Sequence, residues 1–250
     1  MDTAAVNTDK TRKAGDKESS VISAEAGIQV FRRVLGEFET LDALLEGKSI
    51  ARLGDGELKL IDGKGYFREP ANELVGAELL SIVREPDENC LVGIPTWDPN
   101  GPKFENWMRH FERFQKILSP DVQYYSAFIT RPDSAPWINT KEFAKKMETL
   151  WRKKRVTILA EPDNKILTAV GLAAKKITHV ECPHREAYAL IDQFEKEIAG
   201  ARRKRPELAL LSCGPTATCL ANRLAGRGIQ AIDIGSAGGY LVKLLTEKPG

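Results

Sequence analysis

The chain has 250 residues, 42% of them hydrophobic, enough to bury a sizeable core, with one large α/β domain as the simplest organisation. Its 37 basic and 35 acidic residues leave a net charge of +2, which argues against a general nucleic-acid binder. No apolar run approaches the ~18 residues a membrane-spanning helix needs.

The first residues lack the apolar core of a secretory signal peptide. Residues 1–22 are polar and charged and read as a disordered tail, with a single folded unit expected over 23–250. Helical spacing of Ile28, Phe31, Leu35, Phe38, Leu41 and Leu45 predicts a helix that Gly47 ends. An alternation follows. Strands are expected at 49–54, 90–95, 122–130, 155–161, 176–183, 207–214 and 229–235. Helices are expected at 71–85, 102–118, 140–151, 166–175, 184–200 and 215–228. Apolar strands alternating with helices predict an α/β fold, a Rossmann-like, mostly parallel sheet with helices on both faces.

Such sheets bind ligands beyond the carboxyl ends of their strands. That directs attention to Gly54–Glu57, Pro95–Asp98, Thr130–Asp133, Glu161–Asn164, Cys182–Arg185, Gly214–Thr218 and Asp233–Ser236. Asp55 and Glu57 in "GDGE" suit a hard divalent cation such as Mg²⁺ or Mn²⁺, which takes one or two carboxylates plus substrate phosphates. The alternative is an Asp-Gly turn in which Asp55 caps the following helix.

In "SCGPTAT", Pro215 suits a first helical turn, and Thr216 and Thr218 place hydroxyls near a helix N-terminus, a phosphate-attracting position. The segment is neither a Walker loop nor a dinucleotide fingerprint, and an ordinary strand-to-helix turn is its other reading. His184, at the expected start of the 184–200 helix, could touch phosphate or a sugar hydroxyl or could simply be a surface residue. Arg131 offers a planar, permanently charged fork at a strand end. Trp97 could stack on a base or sugar, or pack in the core. His110 and His179 read as structural.

The basic runs Arg152–Arg155 and Arg202–Arg205 read as solvated helix ends, with a role on an anionic surface or phosphate as the alternative. The four cysteines show no zinc-site spacing, Cys90, Cys182 and Cys213 read as small buried hydrophobes in or at the ends of expected strands, and a reducing compartment fits. No Gly-x-Ser-x-Gly elbow is present.

In their order, "SIARLGDGELKLIDGKG", "LVGIP", "ITRP", a "CP" turn and "LLSCGPTATCLANRLAGRGIQAIDIG" resemble the GT-D-type glycosyltransferase family, first described as a bacterial domain of unknown function. The resemblance spans about Ser49 to Gly235. It implies transfer of a sugar, hexosyltransferase-like, from a nucleotide sugar, expected to be a UDP-sugar, to a glycan or glycoconjugate acceptor. Its Asp-x-Glu motif falls on Asp55 and Glu57, as ligands of Mn²⁺ or Mg²⁺ and as the catalytic pair. Arg52, Gly54, Arg131, His184, Gly214, Pro215, Thr216 and Asp233 become candidate nucleotide-sugar contacts. Two segments depart from the family pattern: Ser236 stands where a His is expected, and "EPDNKILTAVG" replaces a Gly/Arg/Asn-rich stretch. The expected location is the cytoplasm, with peripheral work at the inner membrane face as a variant. Self-association is compatible with the chain, and a binding protein without transfer activity is the alternative function.

Overall fold

A computed structural model describes residues 34–96, 102–200 and 205–247. The expected tail, the start of the first helix, and Trp97 and Asp98 lie outside these residues.

Among the described residues seven strands form one sheet: β1 (Ser49–Arg52), β2 (Cys90–Ile94), β3 (Tyr124–Ser126), β4 (Arg155–Ala160), β5 (Lys176–Glu181), β6 (Leu208–Ser212) and β7 (Ala231–Asp233). Their spatial order is β3-β2-β1-β7-β6-β4-β5, and every pairing is parallel. Alternation along each strand feeds two cores. Ala51, Val92, Leu159 and Leu211 pack into one, and Ile50, Leu91, Ile158 and Leu210 into the other. Both faces are therefore covered, as parallel sheets require.

The first core packs against α2 (Asp55–Ile61), α3 (Glu73–Arg84), α5 (Phe111–Ile117), α8 (Ile191–Ala199) and α9 (Pro215–Gly226). The second packs against α1 (Glu37–Leu45), α6 (Lys141–Glu148), α7 (Lys165–Gly171) and α10 (Gly238–Thr246). Short α4 (Phe104–Met108) lies between β2 and α5. From β1 the chain runs outward to β2 and β3, crosses to β4 and β5, and returns through β6 and β7 to β1. The crevice where strand order reverses lies between the carboxyl ends of β1 and its β7–β6 neighbours.

Several expected elements differ. In the described part of the first helix, Leu35 is extended and bridges Tyr125, so the helix starts only at Glu37. The helix expected over 102–118 breaks at Arg109–His110. Trp107 and Phe114, seven residues apart, would share one face of a continuous helix. After the break Trp107 packs with the second core and Phe114 with the first.

The strand expected to reach Thr130 stops at Ser126, whose hydroxyl accepts the Phe128 N–H (3.0 Å) and turns the chain into a 3₁₀ turn over Ala127–Thr130. His184 and Arg185 stand in a loop rather than a helix. Glu186 takes a left-handed conformation (φ 57°), a 3₁₀ turn follows, and the helix begins at Ile191. Helix α10 has no counterpart among the expected elements, because "AGGY" reads as a loop. Gly238 is needed there for close packing: a Cβ would lie 2.2 Å from the Ile166 nitrogen on α7.

Candidate functional site

A cleft of about 380 Å³ opens at that crevice, over the ends of β1, β4, β6 and β7. Its floor is built around Arg52. Nε donates to the Asp233 carbonyl (2.8 Å) and Nη2 to the Asp233 carboxylate (2.9 Å). Nη1 donates to the Ala127 carbonyl (3.0 Å) and to the Thr130 hydroxyl. Arg52 thus spends four N–H groups on tying β1 to β7 and to the 3₁₀ turn, and a fifth is left for a ligand. Both partners of the ion pair are nearly buried, at 10% and 8% side-chain exposure.

The Asp233 carboxylate also accepts the Gly235 N–H at 3.1 Å. Gly235 has φ 52°, and a Cβ on it would lie 2.3 Å from Arg52 Nη2, so only glycine fits. Thr218 is fully buried and donates its hydroxyl to the Arg52 carbonyl (2.9 Å). It locks the floor and is not a phosphate contact.

"GDGE" is the entry of α2. Gly54, not Asp55, is the N-cap, and Glu57 folds back so that its Oε2 accepts the Gly54 N–H (2.7 Å). Asp55 stands half-exposed at the first helical position, 3.3 Å from Lys59. Gly56 admits the Tyr66 ring, whose nearest carbon would sit 3.1 Å from an added Cβ.

Burial, with the Asp233 charge nearby, pushes the Glu57 carboxyl up to about 7. Below the ordinary value of 4.5 the folded and unfolded chains both hold this proton. Between there and about 7 the unfolded carboxyl has ionised and the folded one has not, so stability falls as pH rises through this window. Glu57→Gln keeps an acceptor for Gly54. It is expected to flatten that slope in metal-free thermal melts and to add about 1–2 kcal/mol at mildly alkaline pH, after allowance for solvent screening.

A short strap crosses the cleft. Tyr66 and Glu69 exchange backbone hydrogen bonds (2.7 and 3.0 Å), putting Phe67 and Arg68 at the tip. Arg68 bonds Glu161 at 2.6 Å, and its carbonyl accepts the Glu186 N–H at 2.8 Å. His184 Nδ1 lies 3.2 Å from the other Glu161 oxygen. Burial pushes the Glu161 carboxyl up, but these His184 and Arg68 bonds outweigh it and hold it below its ordinary value.

At the strap's base, buried Glu69 accepts the Tyr188 N–H (3.2 Å) and faces the Thr216 hydroxyl (3.5 Å). Thr216 is therefore fully buried against the protein's own carboxylate, while Gly214 and Pro215 line the cleft. His184 stays at the rim, mostly exposed, and acts on the cleft only through Glu161.

Arg131 also lines the cleft. Its Nε and Nη2 hold Asp133 bidentately (2.9 and 2.8 Å), and Lys103 bonds the same carboxylate. The Arg131 bonds hold Asp133 well below the carboxylate range. Arg131 Nη1 has no hydrogen-bond partner among the described residues and is available to an anion in the cleft. Asp55 lies within its electrostatic reach.

The structure therefore gathers Arg52, Gly54, Asp55, Glu57, Arg131, Gly214, Pro215 and Asp233 around one cleft and leaves Thr216 and His184 outside it. Ser236 lines it as well. Sequence reasoning missed Tyr66, Phe67, Arg68, Trp107 and Phe128. Two aromatics and an arginine bracketed by Gly65 and Pro70 were the signal for the strap.

Among the described residues no group of three or more His, Cys, Asp or Glu side chains forms a metal cage. The donors present are nonetheless the hard oxygens that Mg²⁺ or Mn²⁺ prefers. Asp55 is half-exposed, Glu57 keeps one oxygen free of the Gly54 amide, and Asp233 raises Glu57 by like charge. A cation shared with substrate phosphates needs no more than one or two such carboxylates, so this set fits one.

The family described as Glycosyltransferase GT-D fold matches residues 50–238. Glycosyltransferase GlyD of Streptococcus pneumoniae is 29% identical over 220 residues, covering 81% of this chain and 26% of that protein. A probable glycosyl transferase, Gly, of Streptococcus gordonii is 28% identical over 222 residues, covering 81% of this chain and 31% of that one. The chain thus spans about a quarter to a third of these curated relatives' length. A solved structure of the domain of unknown function 1792, reported to have a distinct glycosyltransferase fold, superposes with a TM-score of 0.73 at 26% identity, over 87% of this chain and 83% of that one. Another, a glycosyltransferase of the same domain type from Streptococcus sanguinis, gives 0.71 at 26% identity, over 83% of each chain.

Proposed function

The chain belongs to the glycosyltransferase family of GT-D fold, and on that premise we propose that it transfers a hexosyl-type sugar from a UDP-sugar donor to a glycan or glycoconjugate acceptor in the cytoplasm. The observation that carries this reading is the gathering of the Asp55–Glu57 turn and the Arg131 guanidinium around one cleft, at the switch point of a parallel sheet.

Asp55 and Glu57 are the residues that would hold Mn²⁺ or Mg²⁺. When bound, the cation would neutralise charge building on the diphosphate leaving group. The remaining work belongs to the chain. Arg131 Nη1 offers N–H donors to a phosphate oxygen. The Gly214–Pro215 turn brings backbone close to the ligand without side chains in the way. Arg52 and Asp233 act as positioning residues, since their bonds fix where β1 ends and hence where the Asp55 turn stands. Tyr66, Phe67 and Trp107 supply apolar faces against which a base or a sugar ring can pack and exclude water.

Arg68 pins the strap over the donor. Arg68→Ala removes a half-buried ion pair that contributes about 1 kcal/mol or less to folding. It is expected to weaken nucleotide binding about tenfold while barely moving the thermal midpoint. Calorimetric titration of UDP alongside a thermal melt checks both.

A second reading, nucleotide-sugar binding without transfer, is favoured by Ser236 on the cleft, where the family pattern expects His. Donor hydrolysis and transfer assays with UDP-glucose and a panel of glycan acceptors separate the two. Turnover of the donor supports transfer, and tight binding without turnover supports the alternative.

A further inference from the structure

The basic run Arg152–Arg155 has no part in the cleft. It sits at the opposite, amino-terminal end of β4, where it is zipped to the segment entering β5. The Lys153 N–H donates to the Ala173 carbonyl (2.8 Å), and the Lys154 carbonyl accepts from Lys175 (2.9 Å) and Lys176 (3.3 Å). Six cations gather at this corner. Arg152 is neutralised by Glu148 (2.9 Å) and Arg155 by Glu207 (3.2 Å). Lys153, Lys154, Lys175 and Lys176 have no ion-pair partner among the described residues, and all but the half-buried Lys154 are exposed.

Leu172, one residue before Ala173, is 51% exposed in the same corner. Lys153 holds φ 59°, a left-handed conformation that favours glycine, so a lysine stands where the backbone would prefer none. Arg152 reaches back to the end of α6 at Glu148, and Lys175 and Lys176 follow the end of α7, whose C-cap is Leu172.

We propose that this corner docks the protein on an anionic membrane surface, with the four lysines facing lipid headgroups and Leu172 entering the boundary with the acyl chains. The chemistry favours lipid over nucleic acid. The free cations are all lysines, which act as point charges toward a diffuse negative surface, while the arginines that could read phosphates bidentately are already paired. An exposed leucine among them gains from acyl chains and gains little from a polyanion. Docked this way, the cleft at the other end of the strands faces away from the membrane, open to soluble ligands. The inference stands independently of what the cleft does.

The test is co-sedimentation of the full chain with phosphatidylcholine vesicles, pure or containing one-third phosphatidylglycerol. Binding is expected on the anionic vesicles alone, released by molar salt. Each neutralised lysine should lower partitioning about fivefold, so Lys175→Ser/Lys176→Ser should lower it roughly 25-fold. Lys153→Gly, which relieves the backbone, should give a further fivefold drop with an unchanged circular dichroism spectrum, and Leu172→Ser a drop of a few-fold. Lys116→Ser/Lys196→Ser, removing the same charge elsewhere, should leave partitioning within about twofold. Equal pelleting with neutral vesicles, or equal loss in both double variants, would overturn the proposal. So would binding of a single-stranded oligonucleotide without vesicle binding, which would assign the corner to nucleic acid.

Discussion

Asp55→Ala is expected to lower metal-dependent sugar transfer by about a thousandfold or more while leaving the protein folded. The two halves of that expectation rest on different observations. Asp55 is half-exposed, and among the described residues its one ion-pair partner is Lys59, an i,i+4 pair contributing about 0.3–0.5 kcal/mol. Its charge at the first position of α2 adds a helix-dipole contribution of about 0.3–1 kcal/mol. Unfolding therefore cannot account for a large loss of activity. A carboxylate that holds the cation on a leaving diphosphate is worth several kcal/mol in the transition state, and ~4 kcal/mol corresponds to a factor of about 10³. Donor turnover at saturating Mn²⁺, with a thermal melt of the same preparation, checks both halves. A melt within a few degrees of wild type with turnover intact would remove Asp55 from the chemistry.

Arg52→Leu is expected to have the largest effect on stability, about 3–5 kcal/mol in urea unfolding. The guanidinium joins β1, β7 and the turn after β3, and it is the partner of an Asp233 carboxylate that is 8% exposed. Removing one member of a buried pair leaves the other charged and desolvated, which costs more than the pair contributed. Arg52→Leu/Asp233→Asn should recover most of the loss, because the neutral amide still accepts the Gly235 N–H. Additive losses in the double variant would show that the two residues do not act as a unit.

The architecture was legible because parallel strands buried on both faces read as apolar runs, and their turns carry Gly and Pro. Gly54 and the Gly214–Pro215 turn were visible for that reason. What was hidden depended on contacts between distant segments. Thr216 reads as a phosphate contact until Glu69, brought in by the strap from far along the chain, faces its hydroxyl. Arg52 reads as a ligand contact alone, and its part in joining β1 to β7 shows only when Asp233, Ala127 and Thr130 converge on it. The break in the 102–118 segment leaves no trace in its periodicity, since Trp107 and Phe114 are both apolar and only tertiary packing assigns them to opposite faces of the sheet. Helix α10 was obscured because Gly238 is there for close contact with α7 and otherwise argues against a helix.

The most direct test of the donor site is calorimetric titration of UDP and UDP-glucose into the wild type and the Asp55→Ala/Glu57→Ala variant, each with Mn²⁺ and with chelator. Binding is expected to require the metal and to disappear in the folded variant. Nucleotide binding that is the same with chelator, or that survives the double substitution, would contradict it, and Asp55 and Glu57 would then serve only to start α2.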